Sequence, residues 1–558
     1  MATKWVVGRG VIVAAVVGGL AVASAGMARA APSPQATFAA QGAKILRLTA
    51  AVQMTKDPAP ARAFSGPASM LADPSDPHVI VAATTELRSR ICYLTRSTDA
   101  GRTWHILAAV PALASYQYCT NGNAGVAVAS IAWGSNATLY YALEGYGNGE
   151  GGRAGHASIL LARSTDLGDS WSTTVVDDNR GRTDDPPTDT GVQSLAVDTS
   201  GPRDVVYVGF TRSFPMAAKG SPEQSGAVAV AVSADGGRSF GAPVNLDDFS
   251  HVTQTIAGQS YPLLMQAFFG APFLVAHDGV VVATASSQVP SGVKLPGTSY
   301  FAMPQLVARS TDRGRTWTVT TLGPPIFTGT GAQTGLGWTP EGGPHGTFLA
   351  TYAATPQDAA SSGAASVVLQ RSTDAGLTWT DPVVLNDDDP TQQFSSFYPQ
   401  LGVAPDGRAD VVWEDTRNQV DYHVGVYYTY STDGGLTWAH NVEVSDRPVD
   451  FGLGVSFNSD IRQPPGVASA NQYAAVGWAD TRLGNVTTQN QDDFGAVAQF
   501  SPVPTSTSEV APILAAAFGG LAAAGAVLLV VLAIGRRRDR VAPAAGTGVA
   551  TEVEMGVE

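Results

Sequence analysis

Apolar and polar positions alternate with a period of two along much of this 558-residue chain, and turn residues interrupt the alternation at short intervals. The stretch 398–444 shows the order best. Tyr398 to Ala404 predicts a strand, Pro405-Asp406-Gly407 a turn, Asp410 to Glu414 a second strand and Gly425 to Tyr430 a third, with Val442-Glu443-Val444 as the fourth. A period of two is the strand period, and Pro, Asp and Gly each favour a tight turn for their own conformational reason. The stretch 466–500 repeats the theme. Gly466 to Ala470, Tyr473 to Trp478 and Phe494 to Phe500 predict three strands, and a fourth is expected from the other end of the chain, around Lys44 to Leu48.

Between the predicted third and fourth strands stands a pattern that recurs six times. The copies read RSTDAGRTW, RSTDLGDSW, VSADGGRSF, RSTDRGRTW, RSTDAGLTW and YSTDGGLTW. The positions concerned are Ser97, Asp99, Gly101 and Trp104; Ser164, Asp166, Gly168 and Trp171; Ser233, Asp235, Gly237 and Phe240; Ser310, Asp312, Gly314 and Trp317; Ser372, Asp374, Gly376 and Trp379; and Ser431, Asp433, Gly435 and Trp438. Ser and Asp can hydrogen-bond their own backbone, Gly accepts a positive φ, and the aromatic ring packs between strands. The residue types describe a hairpin corner used repeatedly to build a fold, with no chemistry of its own.

This motif resembles the Asp-box, or BNR repeat, of the sialidase superfamily, over roughly residues 36–502. The third copy is the weakest, with Ala234, Ser239 and Phe240 in place of Thr, Thr and Trp. In that superfamily each box joins the third and fourth strands of one blade of a β-propeller. The resemblance therefore implies an all-β propeller of four-stranded blades. The serines recur about every 67 residues, which puts about seven repeats between 31 and 502. Seven blades are expected, with six blades plus accessory strands as the alternative. Strand direction places the box corners and the Pro-Asp-Gly-type turns on one face. The loops between strands two and three, and those joining blades, fall on the other.

The ends of the chain predict a membrane anchor. Lys4 and Arg9 precede an apolar run from Val11 to Ala25 and Ala28-Arg29-Ala30, the pattern of a secretory signal over 1–30. A Pro/Ser/Thr stalk occupies 503–509. Residues 510–534 carry no charge, enough for a helix to span a bilayer, and Arg536, Arg537, Arg538 and Arg540 follow. Positive charge marks the cytoplasmic side, so a single-pass cell-membrane protein is expected. Its propeller, 31–502, would be extracellular and its tail, 535–558, cytoplasmic.

A net charge of −14 argues against nucleic acid as a partner. The two cysteines, Cys92 and Cys119, could pair in an oxidising compartment, although a chain of this size does not depend on a staple. No cofactor and no metal site are predicted. Asp177-Asp178 with Asp184-Asp185, Asp247-Asp248 and Asp387-Asp388-Asp389 form acidic loops between blades. Such loops can hold calcium, pair with arginines or stand solvated, and none completes a calcium-loop pattern.

The candidate ligand-binding residues lie on the loop face. Trp413-Glu414-Asp415-Thr416-Arg417 has a near copy in Trp478-Ala479-Asp480-Thr481-Arg482, and Phe210-Thr211-Arg212 holds the matching place earlier, as do Glu86, Arg88 and Arg90. A ring of guanidinium groups suits an acidic sugar or peptide. The other reading makes each Asp-x-Arg a local ion pair that fixes its own loop. Sialidases of the superfamily carry an Arg-Ile-Pro motif on the first strand, an arginine triad, a Tyr/Glu nucleophile pair and an Asp acid/base. Here the corresponding strand, Ser65 to Ala72, has no arginine, and Asp460-Ile461-Arg462-Gln463-Pro464 is the only echo. Glu144, Tyr146, Tyr398 and Glu414 are the candidates for catalytic roles. The sequence is read as a glycan- or protein-binding module for a carbohydrate or cell-surface protein ligand. An exo-sialidase or related glycoside hydrolase acting on terminal acidic sugars is the alternative.

Overall fold

Seven antiparallel sheets follow one another along the chain, and each of the first six uses its four strands in sequence order. The computed structural model describes residues 34–56, 63–110, 119, 130–145, 158–178, 189–213, 226–246, 252–256, 259–262, 273–286, 305–322, 334–341, 346–354, 365–389, 394–417, 423–454 and 464–502. Blade 1 is Ser69–Ala72, Ile80–Glu86, Ile91–Ser97 and His105–Ile106. Blade 2 is Ser130–Trp133, Leu139–Gly145, Ser158–Ser164 and Ser172–Asp177. Blade 3 is Asp189–Asp198, Val205–Ser213, Gly226–Ser233 and Val244–Asn245. Blade 4 is Phe273–His277, Val280–Ser286, Gln305–Ser310 and Thr318–Thr321. Blade 5 is Thr334–Thr339, Thr347–Ala354, Ser366–Ser372 and Val383–Val384. Blade 6 is Ser396–Val403, Ala409–Asp415, His423–Ser431 and Val442–Glu443, with Val449–Asp450 also paired to its third strand. A separate hairpin, Thr253–Ile256 with Gln259–Pro262, lies between blades 3 and 4.

Blade 7 takes Gly466–Ala470, Tyr473–Asp480 and Asp492–Gln499 from the end of the described chain and its outer edge from the beginning. Arg47–Leu48 and Val52–Gln53 both pair with its third strand. The ring therefore closes with an N-terminal segment, as the sequence predicts, but in two short pieces. The first strands pack against one another all the way round, and that of blade 7 returns to that of blade 1. A closed ring leaves no long sheet edge open to another chain.

The core is a set of seams between blades. Tyr141 and Leu160 pack on Val81 and Leu94 of blade 1, whereas their neighbours Tyr140 and Leu161 pack on Val206 and Val208 of blade 3. Val281 faces blade 3 and Val282 faces blade 5. The middle strands are thus apolar on both faces. This is why Thr347–Ala354 is buried at every position while retaining a period of two.

The six corners share one geometry. The Ser Oγ accepts the Gly N–H at 2.8–2.9 Å and donates to the Asp Oδ1 at 2.7–2.8 Å. The Thr or Ser four residues after the Asp donates its hydroxyl to Oδ2 at 2.5–2.7 Å. In four boxes the Trp indole N–H caps the Gly carbonyl. The weaker third copy makes the same Ser–Asp–Gly bonds, so Ser239 and Phe240 cost it only the indole bond.

The predicted signal over 1–30, the stalk, the 510–534 segment and the tail lie outside the described residues. Among the described residues no helix is long and apolar enough to cross a membrane. Cys92 and Cys119 are joined by a disulfide, with Cα atoms 5.9 Å apart.

Candidate functional site

The first strands of the blades line a central channel. Toward their starts they wall a cavity of about 160 Å³ with Ser69, Ser130, Ser194, Phe273 and Gln400. Toward their ends a second space of about 320 Å³ is lined by Trp133, Pro74, Pro405 and Ser469. Among the described residues no charged side chain lines either space. Three of the serines bind neighbouring blades: Ser69, Ser130 and Ser194 accept the backbone N–H of Ile131, Leu195 and Leu274 at 3.1, 3.1 and 2.7 Å.

The arginines chosen from the sequence stand in the seams between blades, away from this channel lining. Arg417 binds Asp415 of its own motif through Nε and Nη2 at 2.9 and 2.8 Å. It also binds Asp387, just past blade 5, through Nη1 at 2.8 Å, and Asn441 at 3.2 Å. Its guanidinium lies 4.4 Å above the Tyr427 ring. Arg482 repeats the arrangement, with Asp480 at 2.6 Å, Asp446, just past the fourth strand of blade 6, at 2.6 Å, and the Phe494 ring at 4.1 Å. Arg212 pairs with Asp177, the last strand residue of blade 2, and donates to Asn245 at 3.1 Å. In each case an arginine at or just past the end of a second strand ties down the carboxylate that ends the preceding blade. Burial works against the charge of Arg417 and Arg482, but the hydrogen bonds they donate to Asp415 and Asp480, with the charges of the carboxylates around them, together outweigh it and raise both pKa values.

The two Trp-x-Asp-Thr-Arg copies fold alike. Trp413 and Trp478 donate their indole N–H to Asp415 and Asp480 at 2.9 Å, and the Arg417 and Arg482 backbone N–H groups bind the same carboxylates at 2.8 Å. Both aspartates are buried, and Asp415 also accepts the Ser396 hydroxyl at 2.8 Å. Glu86 is a local cap, accepting the N–H groups of Ala63, Arg88 and Ser89. Arg88 reaches the carbonyls of Thr488 and Gln489 in blade 7.

The catalytic candidates are scattered. Glu144 lies near the end of the second strand of blade 2 and Glu414 is buried in blade 6. Tyr398 takes φ 55° and meets Phe397 edge-on at 5.4 Å. Tyr146, Asp184, Asp185, Asp247, Asp248 and Arg462 lie outside the described residues. A Tyr/Glu contact outside the predicted set is present among the described residues: Tyr427 donates to Glu443 at 3.1 Å, with burial raising the Glu443 pKa. Its two residues face each other from adjacent strands of blade 6, so the register of the hairpin is the only sequence signal for it. Asp387 also meets the exposed ring of His440 at 3.2 Å. No group of three or more His, Cys, Asp or Glu among the described residues is placed to hold a metal ion.

No family model matches the chain, and no curated protein matches it by sequence. Among solved structures it is similar to the sialidase of Trypanosoma rangeli, at 12% identity over 66% of this chain and 54% of that one, with a TM-score of 0.40. It is similar to the Hadza microbial sialidase Hz136, at 15% identity over 73% of each chain, with a TM-score of 0.41. It is also similar to an α-L-arabinofuranosidase of Fusarium graminearum, at 12% identity over 66% of this chain and 93% of that one, with a TM-score of 0.41. The chain thus spans about half the length of the trypanosomal enzyme. The chain itself is a seven-bladed β-propeller whose corners are Ser/Asp/Gly boxes.

Proposed function

We propose that this chain is a membrane-anchored extracellular propeller that recognises a glycan or a cell-surface protein rather than hydrolysing one. The observation that supports this reading is the state of the three arginines. A carboxylate clamp needs guanidinium groups with donors free to meet a substrate in one pocket. Here Arg212, Arg417 and Arg482 each spend their donors on aspartates of their own seam. Arg482 Nε has no partner, but it is enclosed and out of a ligand's reach. The membrane placement rests on the uncharged run 510–534 and the arginines after it.

The purified full-length chain should leave a fluorogenic sialoside intact and should bind a glycan array or capture a surface protein. Sialoside turnover that Arg482→Ala abolishes without lowering Tm would overturn the binding reading in favour of a glycosidase. A blank array beside a specific protein capture would remove the carbohydrate version alone.

A further inference from the structure

Asp493 is the second residue of the third strand of blade 7, where the beginning and end of the ring meet. Its side chain is fully buried. Oδ1 accepts the Gly66 N–H at 3.1 Å, Oδ2 is enclosed, and the Thr84 hydroxyl lies beside the carboxyl. Its backbone N–H donates to Thr55 Oγ1 at 2.8 Å and its carbonyl accepts the Met54 N–H at 2.7 Å. Two residues back, Gln491 exchanges bonds with Phe64, at 3.0 Å between backbones and 2.7 Å from its side chain. Residues 54–55 and 64–66 of the N-terminal segment therefore meet this strand at Asp493 and Gln491, and the Gly66 N–H touches the carboxyl itself.

Among the described residues the charged groups near it offer no compensation. Asp492, on the same strand, is a second buried carboxylate, held by Gln53 at 3.1 Å. Glu86 is occupied by backbone N–H groups, Arg88 is turned to the carbonyls of Thr488 and Gln489, and Lys56 is exposed. Burial pushes the Asp493 carboxyl up to about 7. The Thr84 hydroxyl pulls against this, the charge of Asp492 adds to it, and the Gly66 N–H again opposes. A fully buried carboxylate that meets one backbone N–H and one hydroxyl, beside a second carboxylate, is costlier than the neutral acid.

We propose that closure of the ring takes up a proton from solvent, Asp493 entering the blade 7 seam as the neutral acid, so that raising the pH loosens the N-terminal clasp. The sign follows from linkage. The folded seam binds the proton more tightly than the unfolded chain does, so its contribution is complete below the ordinary aspartate value near 4. It weakens by about tenfold in the folding equilibrium per pH unit as pH rises toward the folded value.

The test is the thermal midpoint of the full-length chain from pH 4.5 to 8.5, wild type against Asp493→Asn. Wild type should lose stability steadily up to about pH 7, and the variant should be flatter and melt higher at pH 8. An unchanged slope in a folded variant overturns the proposal. Should Asp493→Asn fail to fold, hydrogen exchange of the wild type decides, after correction for intrinsic rates. Residues 52–56 and 492–499 should lose protection between pH 5.5 and 8 relative to 158–164, and equal protection at both pH values rejects the idea.

Discussion

Each box glycine answers two demands at once. All six have φ between 76° and 93°, and at each a Cβ would run into an aliphatic side chain of the preceding blade, such as Val282 at 2.8 Å for Gly376. The residue before it is left-handed as well, whether glycine (Gly236, Gly434) or not (Ala100, Leu167, Arg313, Ala375). Gly376→Ala should cost about 2–4 kcal/mol, because it adds left-handed strain to a clash with a β-branched neighbour that cannot swing away. Ala375→Gly, one position earlier, should change stability by under about 1 kcal/mol. Urea titration of the two variants separates these effects, and equal costs would mean that the inter-blade contact decides nothing. The Ser-x-Asp-x-Gly corner was legible because all its bonds are local. The arginine that opens four of the boxes was visible but unexplained. Arg309 and Arg371 donate Nε to the carbonyls of Ala375 and Gly434, each in the next box, at 2.5 and 2.6 Å. A partner more than 60 residues away leaves no mark in the local pattern.

At the scale of elements, the turn 404–408 of blade 6 shows what a strand pattern conceals. Pro405-Asp406-Gly407 reads correctly as a turn, but Arg408 beside it is almost wholly buried. It forms a two-pronged pair with Asp410 at 2.9 and 3.0 Å and donates to the carbonyls of Ala470 and Tyr473 in blade 7 at 2.8 and 2.9 Å. The Phe500 ring lies 4.0 Å beneath it, and Tyr428 donates to Asp410 at 2.6 Å. Asp410→Asn should therefore destabilise by about 3–5 kcal/mol, since it strands a buried guanidinium. Replacing both partners together, as Arg408→Met with Asp410→Leu, should cost less than the single change. Chemical denaturation of the single and double variants checks this, and a double variant worse than the single one contradicts it. The candidate site was legible to the same degree. The residues of Trp-x-Asp-Thr-Arg were found, and their two copies do fold alike. That each arginine also clasps the preceding blade depended on which carboxylate the ring geometry brings opposite, and no single repeat contains that information.

For the whole molecule, closure depends on a belt that crosses three blades. Gln35 pairs in parallel with Val384 at the edge of blade 5, Phe38 pairs with Trp438 at blade 6, and Gln41 holds Thr437 at 3.0 Å before the chain reaches blade 7. The blade count was recoverable from repeat spacing, but only the last piece of this belt alternates enough to be read as a strand. Two groups of carboxyls then act on the closed ring in opposite directions. All six box aspartates sit below their ordinary value. Hydroxyl bonds from Ser170 and Thr316 hold Asp166 and Asp312 at about 2, and bonds from Ser239 and Ser233 outweigh burial to bring Asp235 there too. A depressed folded value means that their contribution is present above the unfolded value near 4 and is lost as pH falls through the folded one. Because the corners repeat around the ring, protonating them should unfold it in one steep limb between about pH 4 and pH 2. Asp493 adds the opposite, shallower slope above pH 4, which favours a stability maximum on the acid side of neutrality. A thermal-midpoint scan from pH 2 to 8.5 tests the shape, and Asp312→Asn should make the acid limb less steep while leaving the slope above pH 5 unchanged. A wild-type maximum at pH 7 or higher would mean that other ionisable groups outweigh both sets.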